Sequence, residues 1–193
     1  MNFLAHTLLS CEEESLLIGN FLADFINNKE VAVLPEDMKK GVKLHRLIDS
    51  FTDSHPTVKE GIHRLQKRHG KYAGVVIDIF YDYILANNWS KYGPETLQSF
   101  ADKTYEVLKK NIQSMPEHLH KRIPKMIADN WLVQYGQLDG IAYTFSWVQK
   151  RASKPEYFDN ILESLAIEEE QLTKEFAVFF PDMFEEVGLF CNC

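Results

Sequence analysis

The sequence predicts an all-α protein, and three observations support that prediction. Apolar side chains recur at helical spacing along most of the chain, and no convincing series of alternating strands interrupts them. The 193 residues include seven prolines and nine glycines, which is too few for a turn-rich β-sandwich. No low-complexity stretch, repeat or long linker divides the chain, so residues 1–193 are predicted to form a single globular bundle of about eight helices.

Breaks between the periodic segments mark the predicted helix ends. They fall near Asn27, Pro35, Pro56, Gly70, Pro94, Pro116, Gly140 and Pro155. The apolar stripe in 97–108 follows Pro94, which suits the first turn of a helix. Another stripe in 161–180 is predicted to end at Pro181, because proline interrupts helical hydrogen bonding. The apolar segment 74–81 could be either a buried helix or a buried strand.

The charge distribution argues against a nucleic-acid partner. The net charge is −7, but residues 155–193 carry −9 and the remaining residues carry +2. Because nucleic-acid binding requires a broad positive surface, none is expected here. A local positive patch does occur, since five cationic side chains lie between Lys59 and Lys71.

Several features favour a cytoplasmic protein without membrane insertion. No apolar run approaches the roughly 18 to 20 residues that cross a bilayer, and residues 1–10 lack the basic residues of a signal peptide. Three cysteines form an odd count without the spacing of a disulfide framework, which fits a reducing compartment. Cys191 and Cys193 have no second ligand pair, so a frayed tail is predicted there rather than a zinc site.

Two carboxylates lie in a segment that otherwise suits a protein core. Between Tyr72 and Leu85 every side chain is apolar, aromatic or small except those of Asp78 and Asp82. If this segment is a buried helix, the four-residue spacing puts both carboxylates on one side of it. Two buried carboxylates repel each other and are costly to desolvate, so they need a cation, basic partners or a retained proton.

Two further segments direct ionisable side chains toward the core. Asp24 is the only ionisable residue in 15–26. In the amphipathic segment 36–53, His45 and Asp49 both lie within the apolar arc of the helical wheel. Each side chain alone could be an ordinary buried polar residue, but three such segments together favour one shared site.

A divalent metal site would account for all of these inward polar side chains. The predicted ligands are Asp24, His45, Asp49, Asp78 and Asp82. Carboxylate oxygens suit hard divalent cations, and imidazole widens the choice toward manganese, iron or zinc. A purely structural polar network is the alternative interpretation. No Gly-rich phosphate loop, His-Glu-x-x-His or Gly-x-Ser-x-Gly motif occurs.

Four motifs follow one another in the first half of the chain. They are MNFLAH (1–6), GNFLADF (19–25), GVKLHRLID (41–49) with FTDSHP (51–56), and DIFYD (78–82). Trp131-Leu132, Tyr135, Gly140-Ile141 and Phe179-Phe180-Pro181 come later. In this order the motifs resemble the acyl carrier protein phosphodiesterase family, and the resemblance covers nearly the whole chain.

The resemblance implies an all-α fold remotely akin to the HD phosphohydrolases. It also implies a divalent metal, manganese or magnesium, and removal of 4′-phosphopantetheine from holo-acyl carrier protein. Carried over by position, it adds His6 and Asp53 as catalytic residues that would position water or protonate the leaving oxygen. Asp53 and His55 could instead cap the following helix. The chain departs from the family at Tyr83, where histidine is frequent, and it contains no His-Asp dipeptide.

We therefore predict a metal-dependent phosphoric diester hydrolase that acts on holo-acyl carrier protein. A hydrolase of a nucleotide or another small phosphodiester is one alternative. A non-catalytic helical module that binds an acidic partner is another.

A basic helix face is the predicted docking surface for the acidic carrier. Arg64, Lys67, Arg68 and Lys71 share the spacing of a single face on the helix that follows Pro56. A solvated basic helix without a partner is the alternative interpretation.

Overall fold

The structure, a computed structural model, describes residues 1–11 and 13–191, and every regular element in these ranges is helical. The α-helices are α1 (Phe3–Leu8), α2 (Glu14–Leu22), α3 (Asn28–Ala32), α4 (Glu36–Ser54), α5 (Pro56–His69), α6 (Ala73–Asn87), α7 (Trp89–Tyr92), α8 (Leu97–Lys110), α9 (Arg122–Ala128), α10 (Trp131–Gln134), α11 (Leu138–Gln149) and α12 (Ile161–Cys191). Short 3₁₀ turns join some of them. The all-α prediction is confirmed.

Short helices account for the elements beyond the eight or so that the pattern predicts. Helices α3, α7 and α10 contain only five, four and four residues. A single helical turn has too few positions to show periodicity, so the sequence gives no signal for it. The ambiguous segment 74–81 lies inside α6, which excludes the strand interpretation for it.

Helix α12 continues through Pro181, so the prediction that it ends there is wrong. Proline removes one backbone hydrogen bond from a helix interior. Phe179 and Phe180 before the proline and Met183 and Val187 after it are all buried in the same core. Packing on both sides of Pro181 therefore outweighs the loss of that bond.

Helix α6 is the centre of the larger hydrophobic core. Its side chains are buried on nearly every face, as the apolar pattern predicts, with Ile77, Phe80 and Tyr81 fully enclosed. The helices α1, α5 and α12 pack around it. Asp82 is thereby buried in this core, whereas Asp78, one turn earlier, is only partly buried, with its side chain 30% exposed.

Helices α2 and α4 cross with their backbones in direct contact. A Cβ atom on Gly19 would lie 2.0 Å from the carbonyl oxygen of Met38, and one on Gly41 would lie 2.4 Å from that of Leu16. Neither distance can accommodate a carbon atom, so only glycine permits this crossing. It brings Asn20, next to Gly19, against His45, one turn beyond Gly41.

The acidic helix α12 is joined to α5 by an ion pair that is largely enclosed. Arg64 donates to both carboxylate oxygens of Glu175, at 2.6 and 2.8 Å, and its Nε donates to Glu168 at 3.0 Å. Glu175 is only 4% exposed. Part of the strong negative charge of 155–193 is therefore neutralised inside the fold.

Two further predictions concern membranes and the C-terminus. Within the described ranges, no helix has the length and apolar character that crossing a membrane requires. The predicted frayed tail includes Asn192 and Cys193, which lie outside the described residues.

We expect Gly41→Ala to destabilise the protein by about 2 kcal/mol or more, because the added methyl group overlaps the backbone of α2. Urea unfolding measures the change. Gly74→Ala is the matched control, since a Cβ at Gly74 meets no atom within 4 Å and alanine favours a helix. Equal stability of the two variants would contradict the close crossing.

Candidate active site

Two buried histidines from different helices stack against each other. His6 belongs to α1 and His45 to α4, and their rings lie 4.1 Å apart with an interplanar angle of 17°. Both side chains are less than one-tenth exposed. His6 reaches this position because α1 packs against both α2 and α6.

Asn20 fixes the orientation of both rings. Its amide nitrogen donates to the backbone oxygen of His6 at 2.8 Å and to Ser10 Oγ at 3.1 Å. Its Oδ1 therefore faces the histidines, 2.8 Å from Nδ1 of His6 and 3.1 Å from Nδ1 of His45. Because Oδ1 can only accept, each Nδ1 carries a proton, and each neutral ring has its lone pair on Nε2.

Both Nε2 atoms face the carboxylate of Asp49. His6 Nε2 lies 3.2 Å from Oδ1, and His45 Nε2 lies 3.1 Å from Oδ2. The ligand atoms of these three residues lie within 4.8 Å of one another. His6 Nε2 is buried and makes no hydrogen bond with any residue in the described ranges.

The chemistry of this group fits a divalent cation. Neutral imidazole lone pairs that face carboxylate oxygens repel them unless a proton or a metal ion lies between. Two imidazole nitrogens and a carboxylate are a common ligand set for transition metals. A second residue that fixes the tautomer, as Asn20 does here, is typical of metal-binding histidines.

The electrostatics of the group are strongly coupled. Burial would raise the pKa of Asp49, but its close contacts with His45 and His6 and the charge of the Met1 amino group overcome this effect and hold that pKa well below its usual range. Burial lowers the pKa of His6, with a further contribution from His45. Asp49 and Asp24 raise the pKa of His45 against the effect of its burial. The site therefore favours the ionised form of Asp49, which faces the Nε2 atoms of both rings.

Two of the other predicted ligands border this group. Asp24 lies in the turn after α2, 40% exposed, with Oδ1 3.5 Å from His45 Nε2. Asp78 on α6 accepts a hydrogen bond of 2.7 Å from the amino group of Met1, which also lies 3.9 Å from Asp49 Oδ1. Burial raises the pKa of Asp78. The structure thus brings Asp24, His45, Asp49 and Asp78 to one place.

Asp82 has a different environment from the other carboxylates. It is fully buried and accepts backbone N–H groups of Asn2 (3.3 Å), Leu4 (2.7 Å) and Ala5 (3.3 Å) at the start of α1. Burial raises its pKa to about 7, and these hydrogen bonds oppose the rise. A ligand role for Asp82 stays a prediction, whereas its contacts make it the acceptor that holds α1 on α6.

Asp53 and Tyr83 lie at the margin of the site or away from it. Asp53 is exposed on α4, one turn after Asp49, and its charge helps to raise the pKa of Asp78. Tyr83 faces Glu169 of α12. His55 bonds to Asp182 at 3.2 Å and makes no side-chain cap on α5.

The basic face of α5 is only partly available for docking. The guanidinium of Arg64 is occupied by α12, whereas Lys67 is exposed. Arg68 lies 3.6 Å from Glu163 in an exposed pair. Lys71 lies beyond the end of α5, in the 3₁₀ turn Gly70–Tyr72, so the prediction that it shares the helix face is wrong, and it donates to Ser153 at 2.8 Å. Sequence spacing predicts which residues share a face of α5, but it does not predict that glutamates of α12 pair with Arg64 and Arg68 on that face.

A cavity of about 1100 Å³ opens beside the histidines and carboxylates. Asp24 and Asp78 line it together with Met1. Aromatic and apolar side chains of α10 and α11 form much of its wall, including Trp131, Tyr135, Tyr143 and Trp147. Basic side chains of Arg122, Lys125 and Arg151 also line it. The site therefore combines anionic groups with an extended, largely apolar recess.

Sequence reasoning missed three residues that the structure brings to the site. The position of Asn20, an amide side chain in a largely apolar segment, indicates a buried polar role. An uncharged amide is a weaker indication of a functional site than a carboxylate. Nothing in the sequence distinguishes Arg122 and Arg151 from other surface arginines. Only the tertiary fold brings them to the cavity.

The family model described as acyl carrier protein phosphodiesterase matches residues 1–183. The chain belongs to this family. The resemblance that the motifs suggest is confirmed. Phosphodiesterases of acyl carrier protein are phosphoric diester hydrolases, the enzyme class that the sequence predicts.

Curated relatives of this family match nearly the whole chain. The acyl carrier protein phosphodiesterase of Escherichia coli is 29% identical over 97% of this chain and 98% of its own. Those of Pectobacterium atrosepticum and Photorhabdus laumondii are 28% and 27% identical, with 96% of this chain covered in each case and 96% and 94% of their own. No solved structure matches the chain with significance.

We expect Asp82→Ala to destabilise the protein by about 3 kcal/mol, because it leaves buried N–H groups at the start of α1 without an acceptor. Thermal or urea unfolding checks this. Asp102→Ala is the control, since that exposed carboxylate bonds only to Gln98 at 2.8 Å and should change stability by less than about 0.5 kcal/mol. A small effect at Asp82 would refute its role in holding α1.

Proposed function

We propose that this protein hydrolyses the phosphodiester that joins 4′-phosphopantetheine to the serine of holo-acyl carrier protein, which releases the prosthetic group and apo-carrier. Membership of the family and the names of its relatives support the reaction. The observation that carries the proposal is the convergence of His6, His45 and Asp49 beside a cavity of about 1100 Å³. An extended pantetheine arm is the kind of ligand that such a recess could bind.

The proposal extends to the fold and the cellular setting. We infer that residues 1–193 form one hydrolase domain with a remote relationship to the HD phosphohydrolases, and that it acts in the cytoplasm. The helical architecture and the histidine and aspartate ligand set support the relationship.

We propose that a divalent metal is bound by His6, His45 and Asp49, with Asp24 and Asp78 beside them. Two imidazoles favour manganese or iron over magnesium, which prefers oxygen ligands. When bound, such an ion supplies an activated water and neutralises charge on the phosphoryl group. His6, predicted as a proton donor, fits a ligand role better because its free Nε2 points at Asp49.

The other residues of the site position and protonate groups around the phosphate. Asn20 holds both imidazoles in one tautomer. Asp53 is exposed near Asp78 and remains the proposed residue that positions water or protonates the leaving oxygen. The aromatic wall of the cavity excludes water from one side of the substrate.

Manganese is expected to raise the melting temperature of chelator-treated protein, because an ion that binds only the folded state stabilises it. His45→Ala should abolish the effect. Asn20→Ala should weaken manganese binding by about 10- to 100-fold through misoriented rings. Calorimetric titration and thermal melting measure both. His63→Ala, at an exposed histidine of α5, should behave as wild type. A melting temperature that changes with neither chelator nor manganese would refute the metal site.

Incubation of holo-carrier with the protein and manganese should give apo-carrier, seen by mass spectrometry as loss of the prosthetic group. We expect Asp24→Ala, His45→Ala and Asp78→Ala each to abolish this conversion while circular dichroism still shows the helical fold. Near-wild-type turnover by any one of these variants would show that the substituted residue is not part of the active site. Hydrolysis of small phosphodiesters without any apo-carrier would favour the alternative substrate class.

The exposed cations of α5 are proposed to attract the acidic carrier. Tyr72, in the 3₁₀ turn that follows α5, lines the cavity, so the C-terminal end of α5 lies near it. Because electrostatic steering acts mainly on encounter, Lys67→Glu with Arg68→Glu should raise KM for holo-carrier severalfold and flatten its salt dependence, with kcat preserved. Lys109→Glu with Lys121→Glu, two exposed sites elsewhere, is the charge-matched control. Similar changes in both double variants would argue against a docking face on α5.

A further inference from the structure

Two arginines in the wall of the cavity have no acidic partner. Arg122 begins α9 and Arg151 follows α11, and both line the cavity that also contains Asp24 and Asp78. Within residues 1–11 and 13–191, neither guanidinium has a carboxylate oxygen within 4.0 Å. Arg64 differs, since three of its nitrogens are bonded to Glu168 and Glu175.

Arg122 is held next to the proposed metal ligands. Its guanidinium carbon lies 4.6 Å from the centre of the Phe25 ring, and Phe25 follows Asp24 in the chain. Stacking of this kind fixes the plane of a guanidinium and leaves its N–H groups free to donate sideways. Asp24 in turn lies 3.5 Å from His45 Nε2. The chain therefore places a free guanidinium at the edge of the site.

Arg151 brings a second positive charge to the same region. Burial lowers the pKa of Arg122, and the charge of Arg151 lowers it further, which means that the two guanidiniums act on each other. The charge of Asp24 acts in the opposite direction and offsets this repulsion only in part, since the pKa of Arg122 stays lowered. An anion that binds between them removes this repulsion, and a guanidinium pair matches the geometry of phosphate oxygens.

We propose that Arg122 and Arg151 bind the phosphodiester group of the substrate through its non-reacting oxygens. This inference rests on the proposed function and names substrate-binding residues for it. The phosphodiester would lie between the two guanidiniums and the group formed by His6, His45 and Asp49. The pantetheine arm would then extend along the apolar wall that includes Tyr143 and Trp147.

The arrangement also provides selectivity for a charged substrate. A ligand whose phosphate pairs with both arginines is preferred over a neutral ligand of the same length, because the neutral ligand would leave both guanidiniums unpaired. Arginine suits this task better than lysine, since its planar group can donate two parallel hydrogen bonds to phosphate.

The test compares 4′-phosphopantetheine with pantetheine, which lacks the phosphate, by calorimetric titration with manganese present throughout. Wild type should bind 4′-phosphopantetheine more tightly. Arg122→Gln and Arg151→Gln should each weaken that binding by about tenfold or more and leave pantetheine binding unchanged. Lys121→Gln removes one exposed charge just before Arg122 and is the matched control.

A loss of 4′-phosphopantetheine affinity smaller than tenfold in the arginine variants would overturn the proposal. An equal loss of pantetheine affinity, or an equal loss in Lys121→Gln, would also overturn it. Titration with apo-carrier forms a second arm, because the carrier's own carboxylates are the other available anions. A loss confined to apo-carrier would assign the arginines to docking and would also overturn it. Turnover of holo-carrier by wild type is measured separately, so that failure of the phosphodiesterase function remains distinguishable from failure of the arginine assignment.

Discussion

The crossing of α2 and α4 is the constraint on which the site depends. Gly19 and Gly41 let the two backbones touch, and any side chain at either position would meet a carbonyl oxygen. This contact sets the distance of Asn20 from His45, which determines the ring orientation of both histidines. A pair of glycines that carry no reactive group therefore fixes the direction in which two imidazole lone pairs point. Small displacements of these helices would alter that geometry directly.

Three carboxylates that are buried or half-buried are stabilised in three different ways. Asp82 is satisfied by backbone N–H groups at the start of α1, and Asp78 by the amino group of Met1. Asp49 instead faces two imidazole nitrogens, one of which has no hydrogen bond. Only this third arrangement leaves ligand-type lone pairs directed at one point. The case for a metal therefore concentrates on His6, His45 and Asp49 rather than spreading over every inward acid.

The sequence predicted much of this fold because the relevant signals are periodic. Helical wheels identified the inward direction of His45 and Asp49, and the apolar pattern identified α6. What escaped prediction depends on contacts between elements that are distant in sequence. The N–H groups that bind Asp82 come from α1, and the carboxylates that bind Arg64 come from α12. Periodicity shows which way a side chain points but not what another helix places in front of it.

The same limit explains the distribution of charge. The acidic C-terminal segment looks in sequence like a solvated negative surface, but its Glu168 and Glu175 are used to neutralise Arg64 on α5. That pairing removes a strong cation from the predicted docking face. Arg122 and Arg151, unremarked in the sequence, keep their charge beside the cavity. Because an anionic substrate is attracted to charges that lack an internal partner, the pairing pattern says more than the count of basic residues about where such a substrate would be attracted.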